Sequence, residues 1–226
     1  MINDQGSIQS HDQSADSYDD KAREYGWYGP EILFGMCFEY ISPNSKLLDI
    51  GIGTGLSSAL FAKAGLEIYW IDGSVEMLHI CKTKNIAKEL KQSNLNNLPL
   101  PYLNSFFQHI ISCGVFHFIG DLESIFRDVS RIIKPGGFFS FIVKAEHYDV
   151  TIDSCKTNDM YYSERSPEGV EIFTHRKQYI KNLLQLCHFE ELKEQIFLVQ
   201  NGQENNYSIF SAHVVKYKNK ALFNKY

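Results

Sequence analysis

Along this chain, short apolar runs alternate with stretches whose apolar residues recur every three to four positions. Lys46 to Ile50 is a run of the first kind, and its length fits a buried strand. Leu56, Leu60 and Phe61 begin a helical face over Leu56 to Ala64, and Gly65 stands where a helix C-terminus needs a left-handed residue. The rhythm repeats. Glu67 to Ile71 reads as a strand, and Ser74 caps a helix carrying Met77, Leu78 and Cys81. Strands follow at Glu89 to Gln92 and Gln108 to Ser112. Asp121 precedes a helix with Leu122, Ile125, Phe126, Val129 and Ile132 on one face. Lys134-Pro135-Gly136-Gly137 stops that helix and turns the chain into a fifth strand, Phe138 to Val143. A helix from Thr174 with Ile180, Leu183, Leu184 and Cys187 leads to two β-rich runs, Glu194 to Val199 and Ser208 to Tyr217. Polar residues Gln200 to Asn206 between these runs make them an antiparallel hairpin. The pattern predicts an α/β fold: a doubly wound, mostly parallel seven-stranded sheet with a C-terminal antiparallel hairpin and helices on both faces.

Three segments lie outside the alternation. Residues 1–16 are rich in Ser, Gln, Asp and Asn with almost nothing to bury, which fits a flexible tail. Residues 17–45 form an N-terminal helical cap, with Tyr18, Tyr25, Trp27 and Tyr28 crowded ahead of a helix that begins near Pro30 and carries Ile32, Leu33, Met36, Cys37 and Tyr40. Residues 145–173 are polar and long for a connection inside a domain, which marks them as a lid insertion. Residues 17–226 thus make a single domain.

Composition narrows the function classes. The 226 residues carry a formal net charge of -5, which argues against a general nucleic-acid binder. Lysines at 216, 218, 220 and 225 read as a solvated terminus. The scattered thiols Cys37, Cys81, Cys113, Cys155 and Cys187 form no C-x-x-C pair, so the reading is reduced cysteines in a cytoplasmic protein without a metal site. Neither a signal peptide nor a membrane span is predicted.

The chemistry centres on KLLDIGIGTGLS, residues 46–57. A strand, an alternating Gly51, Gly53, Gly55 loop and a helix N-terminus make a site for a nucleotide-like ligand, with free amides for hydrogen bonding. The dinucleotide fingerprint needs a third glycine or an alanine where Leu56 stands. Asp49, just ahead of the turn, would repel a pyrophosphate and suits a ligand with a cationic amino group. Asp72 ends the next strand about 20 residues on, where an acid accepts hydrogen bonds from both ribose hydroxyls.

The D-x-G-x-G-x-G spacing resembles motif I of the class I S-adenosylmethionine-dependent methyltransferases. Four further stretches resemble that family in order and spacing: IDGSVEML, LNNLPLP, HIISCGVFHFI and RIIKPGGFFSF. The similarity runs from about Tyr18 to Tyr217 and is greatest to the small-molecule group that includes the ubiquinone/menaquinone-biosynthesis type. It implies a Rossmann-like fold with S-adenosyl-L-methionine as cofactor and S-adenosyl-L-homocysteine as product. It further implies that Gly51, Gly53 and Gly55 wrap the cofactor, with Asp49 near its methionine end. Asp72 and Gly73 would lie at the ribose, Met77 against the adenine, and Cys113 with Gly114 along the methionine arm. Asn94 replaces the usual adenine-contacting Asp but keeps an acceptor oxygen, and the Leu95 amide would serve a ring nitrogen. Two departures stand out: Gln108 replaces an acid at the fourth strand, and His188 a glycine after the late helix.

A methyl sulfonium is already activated, so the protein's work is alignment and water exclusion. His117, after the fourth strand, is the candidate base, with His147 and His175 behind it. Tyr18, Tyr25, Tyr28, Tyr161 and Tyr162 are candidates for shaping the acceptor pocket or its lid. The resulting expectation is a monomeric or homodimeric enzyme that methylates a small molecule by in-line displacement. A non-catalytic cofactor-binding or regulatory protein, and a protein or RNA methyltransferase, are the alternatives. No N-P-P-Y-type tetrad and no basic run favours the last.

Overall fold

Leu47, Leu48 and Ile50 bury side chains on both faces of one strand, so that strand needs a helical layer on each side. The computed structural model supplies both layers. It describes residues 15–85, 87–146, 156–166, 169–200 and 207–218. The expected tail through residue 14, His147, Cys155, most of the polar hairpin turn, Lys220 and Lys225 lie outside the described residues.

The main sheet contains β1 (Lys46–Ile50), β2 (Glu67–Asp72), β3 (Ala87–Gln92), β4 (Phe107–Ser112), β5 (Ile133–Lys144), β9 (Phe189–Gln200) and β10 (Tyr207–Tyr217). Their order across the sheet is β3-β2-β1-β4-β5-β10-β9. The first five run parallel, and β10 runs antiparallel to both β5 and β9. This is the expected Rossmann-like sheet with its C-terminal hairpin. The chain builds outward from β1 to β3, then restarts at β4 on the other side of β1. A crevice therefore opens beyond the carboxyl ends of β1 and β4.

Helices α1 (Tyr18–Glu24), α2 (Gly29–Cys37), α3 (Leu56–Lys63), α4 (Val75–Thr83), α5 (Glu123–Ile132) and α6 (Lys177–Leu186) complete the described α elements. Leu33, Phe61, Trp70 and Ile142 belong to the core on the α2–α4 face. Phe126, Phe139, Phe141 and Leu183 belong to the core on the α5–α6 face. Gly65 takes a φ of 87° directly after α3 and its amide reaches back to the Ala62 carbonyl at 3.0 Å, the expected left-handed stop. His188 adopts the same hand, with φ 61°, where the family resemblance implies a glycine. Gln108 accepts a hydrogen bond from the Lys46 amide at 3.2 Å, so this departure joins β4 to the start of β1.

Some boundaries differ from the sequence reading. The fifth strand begins at Ile133, because Phe107 pairs with Ile133 before the Pro-Gly-Gly irregularity and His109 pairs with Phe138 after it. The 145–173 segment is not irregular throughout. It holds β6 (Lys156–Thr157) and β7 (Tyr161–Arg165), which pair with β8 (Glu171–His175) in a three-stranded antiparallel sheet. The late helix consequently starts at Lys177, after Phe173 and His175 have paired with Ser163 and Tyr161. No helix among the described residues is long and apolar enough to cross a membrane.

Candidate functional site

The loop after β1 departs from the β conformation because its glycines permit it. Gly51, Gly53 and Gly55 have φ of 72°, 55° and 93°. At Gly51 a side chain is also sterically excluded: a Cβ would stand 2.3 Å from Val115 Cγ2. The loop is tied to the neighbouring strand through Asp72. Its Oδ2 accepts from the Gly53 amide and its Oδ1 from the Ser74 amide, both at 2.8 Å. Each carboxylate oxygen has a further lone-pair direction, so these bonds leave acceptor capacity for a ligand. Ser74 Oγ in turn accepts from the Met77 amide at 3.1 Å and caps α4.

Between these elements lies a cleft of about 800 Å³, partly open to solvent. Its walls include Gly51, Gly53, Asp72, Gly73, Met77, Leu95, Cys113 and Gly114. Tyr18 closes one side, and burial raises its phenol pKa, so it remains a neutral donor. Burial likewise pushes the Cys113 thiol up, leaving it protonated and weakly nucleophilic.

Asp49 lies beneath this cleft rather than on its wall. It is 0% exposed, and its Oδ2 accepts hydrogen bonds from Ser57 and Ser58 hydroxyls, both at 2.6 Å. Its Oδ1 has no partner among the described residues. Burial raises this carboxyl from 3.8 to about 7, and the two serine hydroxyls partly offset the rise. A buried acid with an uncompensated oxygen, next to a ligand loop, fits a ligand that brings positive charge.

The N-terminal segment is strapped over the loop. Asp19 bonds the Thr54 hydroxyl through one oxygen and the Lys84 ammonium, at 2.7 Å, through the other. Nothing local in the sequence signals these contacts, which span 35 and 65 residues. Gly26, with φ 62°, then turns the chain so that Trp27 enters the cleft wall and packs on Phe210 at 5.0 Å. Tyr25 and Tyr28 are left 52% and 64% exposed. Of the four rings crowded in this segment, Tyr18 and Trp27 line the cleft and Tyr25 and Tyr28 do not.

Other candidates lie apart from the cleft wall. Asn94 Oδ1 accepts from the Asn96 amide at 2.7 Å and so shapes its own turn, while Leu95 reaches the cleft. Gly55 stands as the N-cap of α3. The His117 ring lies against Phe118 and Phe210, with centroids at 4.0 and 5.8 Å. Tyr161 packs on Phe173 and against Gly120, and the Tyr162 hydroxyl donates to Glu146 at 2.9 Å. The apolar cleft residues Ile52, Val115 and Phe118 were not singled out from sequence, because each reads equally well as core, and Leu56 was noted only for its place in the helix and in the glycine pattern.

Residues 48–141 match a family model described as a methyltransferase domain. Across that span lie β1, the glycine loop, Asp72, Leu95 and Cys113. That stretch is similar to a methyltransferase domain. A demethylmenaquinone methyltransferase of Corynebacterium kroppenstedtii is 35% identical over 95 residues, 42% of this chain and 40% of that protein. A malonyl-[acyl-carrier protein] O-methyltransferase of Serratia marcescens is 27% identical over 143 residues, 62% of this chain and 53% of its own. The chain thus spans about two-fifths to half the length of these curated relatives. Among solved structures, a methyltransferase of Methanosarcina mazei aligns with a TM-score of 0.68 at 17% identity, covering 81% of this chain and 97% of that one. The 1,6-didemethyltoxoflavin-N1-methyltransferase of Burkholderia thailandensis, solved with S-adenosylhomocysteine, aligns at 0.64 and 13% identity, covering 97% and 91%. Such identities speak to the fold alone.

S-adenosylmethionine is the cofactor that the family resemblance implies, and the residues present fit it. The Gly51 and Gly53 backbone leaves room for close approach, Asp72 keeps acceptor capacity, and buried Asp49 suits a cationic amino group nearby.

Proposed function

We propose that the chain transfers a methyl group from S-adenosylmethionine to a small organic acceptor by in-line displacement. The observation that carries this reading is the pairing of Asp72 with the Gly53 amide across the mouth of a cleft underlain by the unpaired Asp49 oxygen. In it, Asp72 holds the ribose hydroxyls and Gly73 lies alongside. Met77 and Leu95 enclose the adenine, with Asn94 at its amino group. Gly51, Gly53, Gly55 and the Cys113-Gly114 backbone flank the methionine arm, and Asp49 balances its ammonium.

When bound, the cofactor supplies an electrophilic methyl group on a sulfonium. The protein's share is to place the acceptor in line and keep water away. Tyr18 and Trp27 cover the cleft from the N-terminal side, in keeping with that task. His117 is the candidate base, acting after closure brings it to the acceptor. The acidic net charge and the relatives' names support a small acceptor: those proteins are named for demethylmenaquinone, malonyl-[acyl-carrier protein] and 1,6-didemethyltoxoflavin. A cytoplasmic setting with reduced thiols, and a monomer or homodimer, complete the reading.

Labelled S-adenosylmethionine incubated with a panel of hydroquinones, nitrogen heterocycles and acyl thioesters tests it. Acceptor-dependent release of S-adenosylhomocysteine with label in the acceptor is expected. Tight cofactor binding without turnover on any acceptor, small or macromolecular, would favour the non-catalytic reading.

A further inference from the structure

Tyr18 opens α1 and Trp27 follows its end, and both stand on the wall of the cofactor cleft. The helix therefore runs between two points of that wall, and its ends are held by different chemistry. The Trp27 end is apolar. Its ring packs on Phe210 and Phe197, with centroids at 5.0 and 6.0 Å, and lies so close over Gly29 that a Cβ there would stand 2.6 Å from it.

The Tyr18 end is tied down by polar groups. Ala15 and Ala22 bury only methyl side chains near it. Asp19 joins the Thr54 hydroxyl through one oxygen and the Lys84 ammonium, at 2.7 Å, through the other. Thr54 is 1% exposed and lies between Gly53 and Gly55 in the cofactor loop. Lys84 follows the last turn of α4, the helix whose N-cap, Ser74, bonds Asp72 through its amide. One carboxylate thus clasps α1 to both elements that form the cleft. None of the three residues stands on the cleft wall, so the clasp holds whether or not the cleft is filled.

We propose that Asp19 is a positioning residue: by clasping Thr54 and Lys84 it holds Tyr18 over the cleft and sets how fast S-adenosylmethionine enters and leaves. The proposal rests on the reading of this cleft as the cofactor site. The Asp19 end is the one that opens. Its two polar contacts can be exchanged for water at small net cost, whereas lifting Trp27 exposes apolar surface. The Lys84 and Asp19 side chains are 28% and 29% exposed, so salt screens their attraction and loosens the clasp.

Stopped-flow association and dissociation of S-adenosylhomocysteine with the full chain, read through Trp27 fluorescence, tests this. Asp19→Ala leaves the buried Thr54 hydroxyl without its acceptor while α1 is closed, so dissociation should quicken about tenfold. Association should quicken as well, by about threefold or more, because a looser clasp also opens the empty cleft. A residue that merely builds the site would weaken binding with association unchanged or slower. Lys84→Met removes only the ion pair. Its dissociation should be about twofold to fivefold faster than the parent's, and the acceleration that added salt produces in the parent should be lost. Unchanged dissociation, association no faster in Asp19→Ala, or a parent-like salt response in Lys84→Met would each overturn the proposal. A parent that binds no S-adenosylhomocysteine would instead refute the cofactor reading of the cleft. Amide exchange over 18–27 without ligand then decides on the clasp: faster in Asp19→Ala if it holds α1, the same as the parent if it does not.

Discussion

Replacing Asp49 with Asn isolates the energetic cost of the buried acid behind the glycine loop. The carboxyl titrates at 3.8 when free and at about 7 in the fold, chiefly through burial. The native state therefore holds a proton that the unfolded state has lost, and stability falls as pH rises through the window from about 4 to about 7. At about 1.4 kcal/mol per tenfold in equilibrium constant, the penalty is about 2 kcal/mol at pH 5 and about 4 kcal/mol at pH 8. Asparagine cannot ionise, and its carbonyl still accepts from Ser57 and Ser58. The stability of Asp49→Asn relative to the parent should therefore improve by about 2–3 kcal/mol between pH 5 and pH 8. Other titrating groups, including the buried His109 and His175, are common to both proteins and cancel in the difference. Urea unfolding of both proteins at the two pH values, without cofactor, gives the quantity directly; the relative midpoint should move by about 1 M or more. The same variant should bind S-adenosylmethionine more weakly, having lost the charge proposed to balance the ammonium. An offset that is constant with pH would refute the argument, because the acid would then be ionised at little cost in the fold.

Two other perturbations address the cleft. Asp72→Ala removes the Gly53 and Ser74 amide bonds together with the two charge-assisted bonds proposed to ribose, so cofactor affinity should fall at least about tenfold while the circular dichroism spectrum is kept; parent-like affinity in calorimetry would reduce Asp72 to a turn residue. Hydrogen exchange with and without S-adenosylhomocysteine tests the cover: protection gained over 17–28 and in the 145–173 segment supports a lid, and equal exchange in both states leaves a fixed structural cap.

The parallel half of the fold was legible because its signals are local. The glycine loop, the Asp72 offset and the Ser74 cap each declare an element boundary within a few residues. The small sheet of β6, β7 and β8 was not, since Tyr161 and His175 meet only after the chain has folded back and neither run is strongly apolar. The strap from Asp19 to Thr54 and Lys84 belongs to the same class. Which of the crowded rings reach the cleft was not legible either, because the left-handed backbone at Gly26 comes between Tyr25 and Trp27. Asp49 was placed correctly along the chain, yet its depth beneath the loop depends on Ser57 and Ser58 folding over it.

The central claim is that the cleft formed by the Gly51–Gly55 loop and Asp72 holds S-adenosylmethionine rather than a dinucleotide. Isothermal calorimetry of the parent protein with S-adenosylmethionine, S-adenosylhomocysteine and NAD tests this most directly. The account predicts saturable one-site binding of the first two and no heat from NAD; tight NAD binding with no response to either sulfur compound would contradict it.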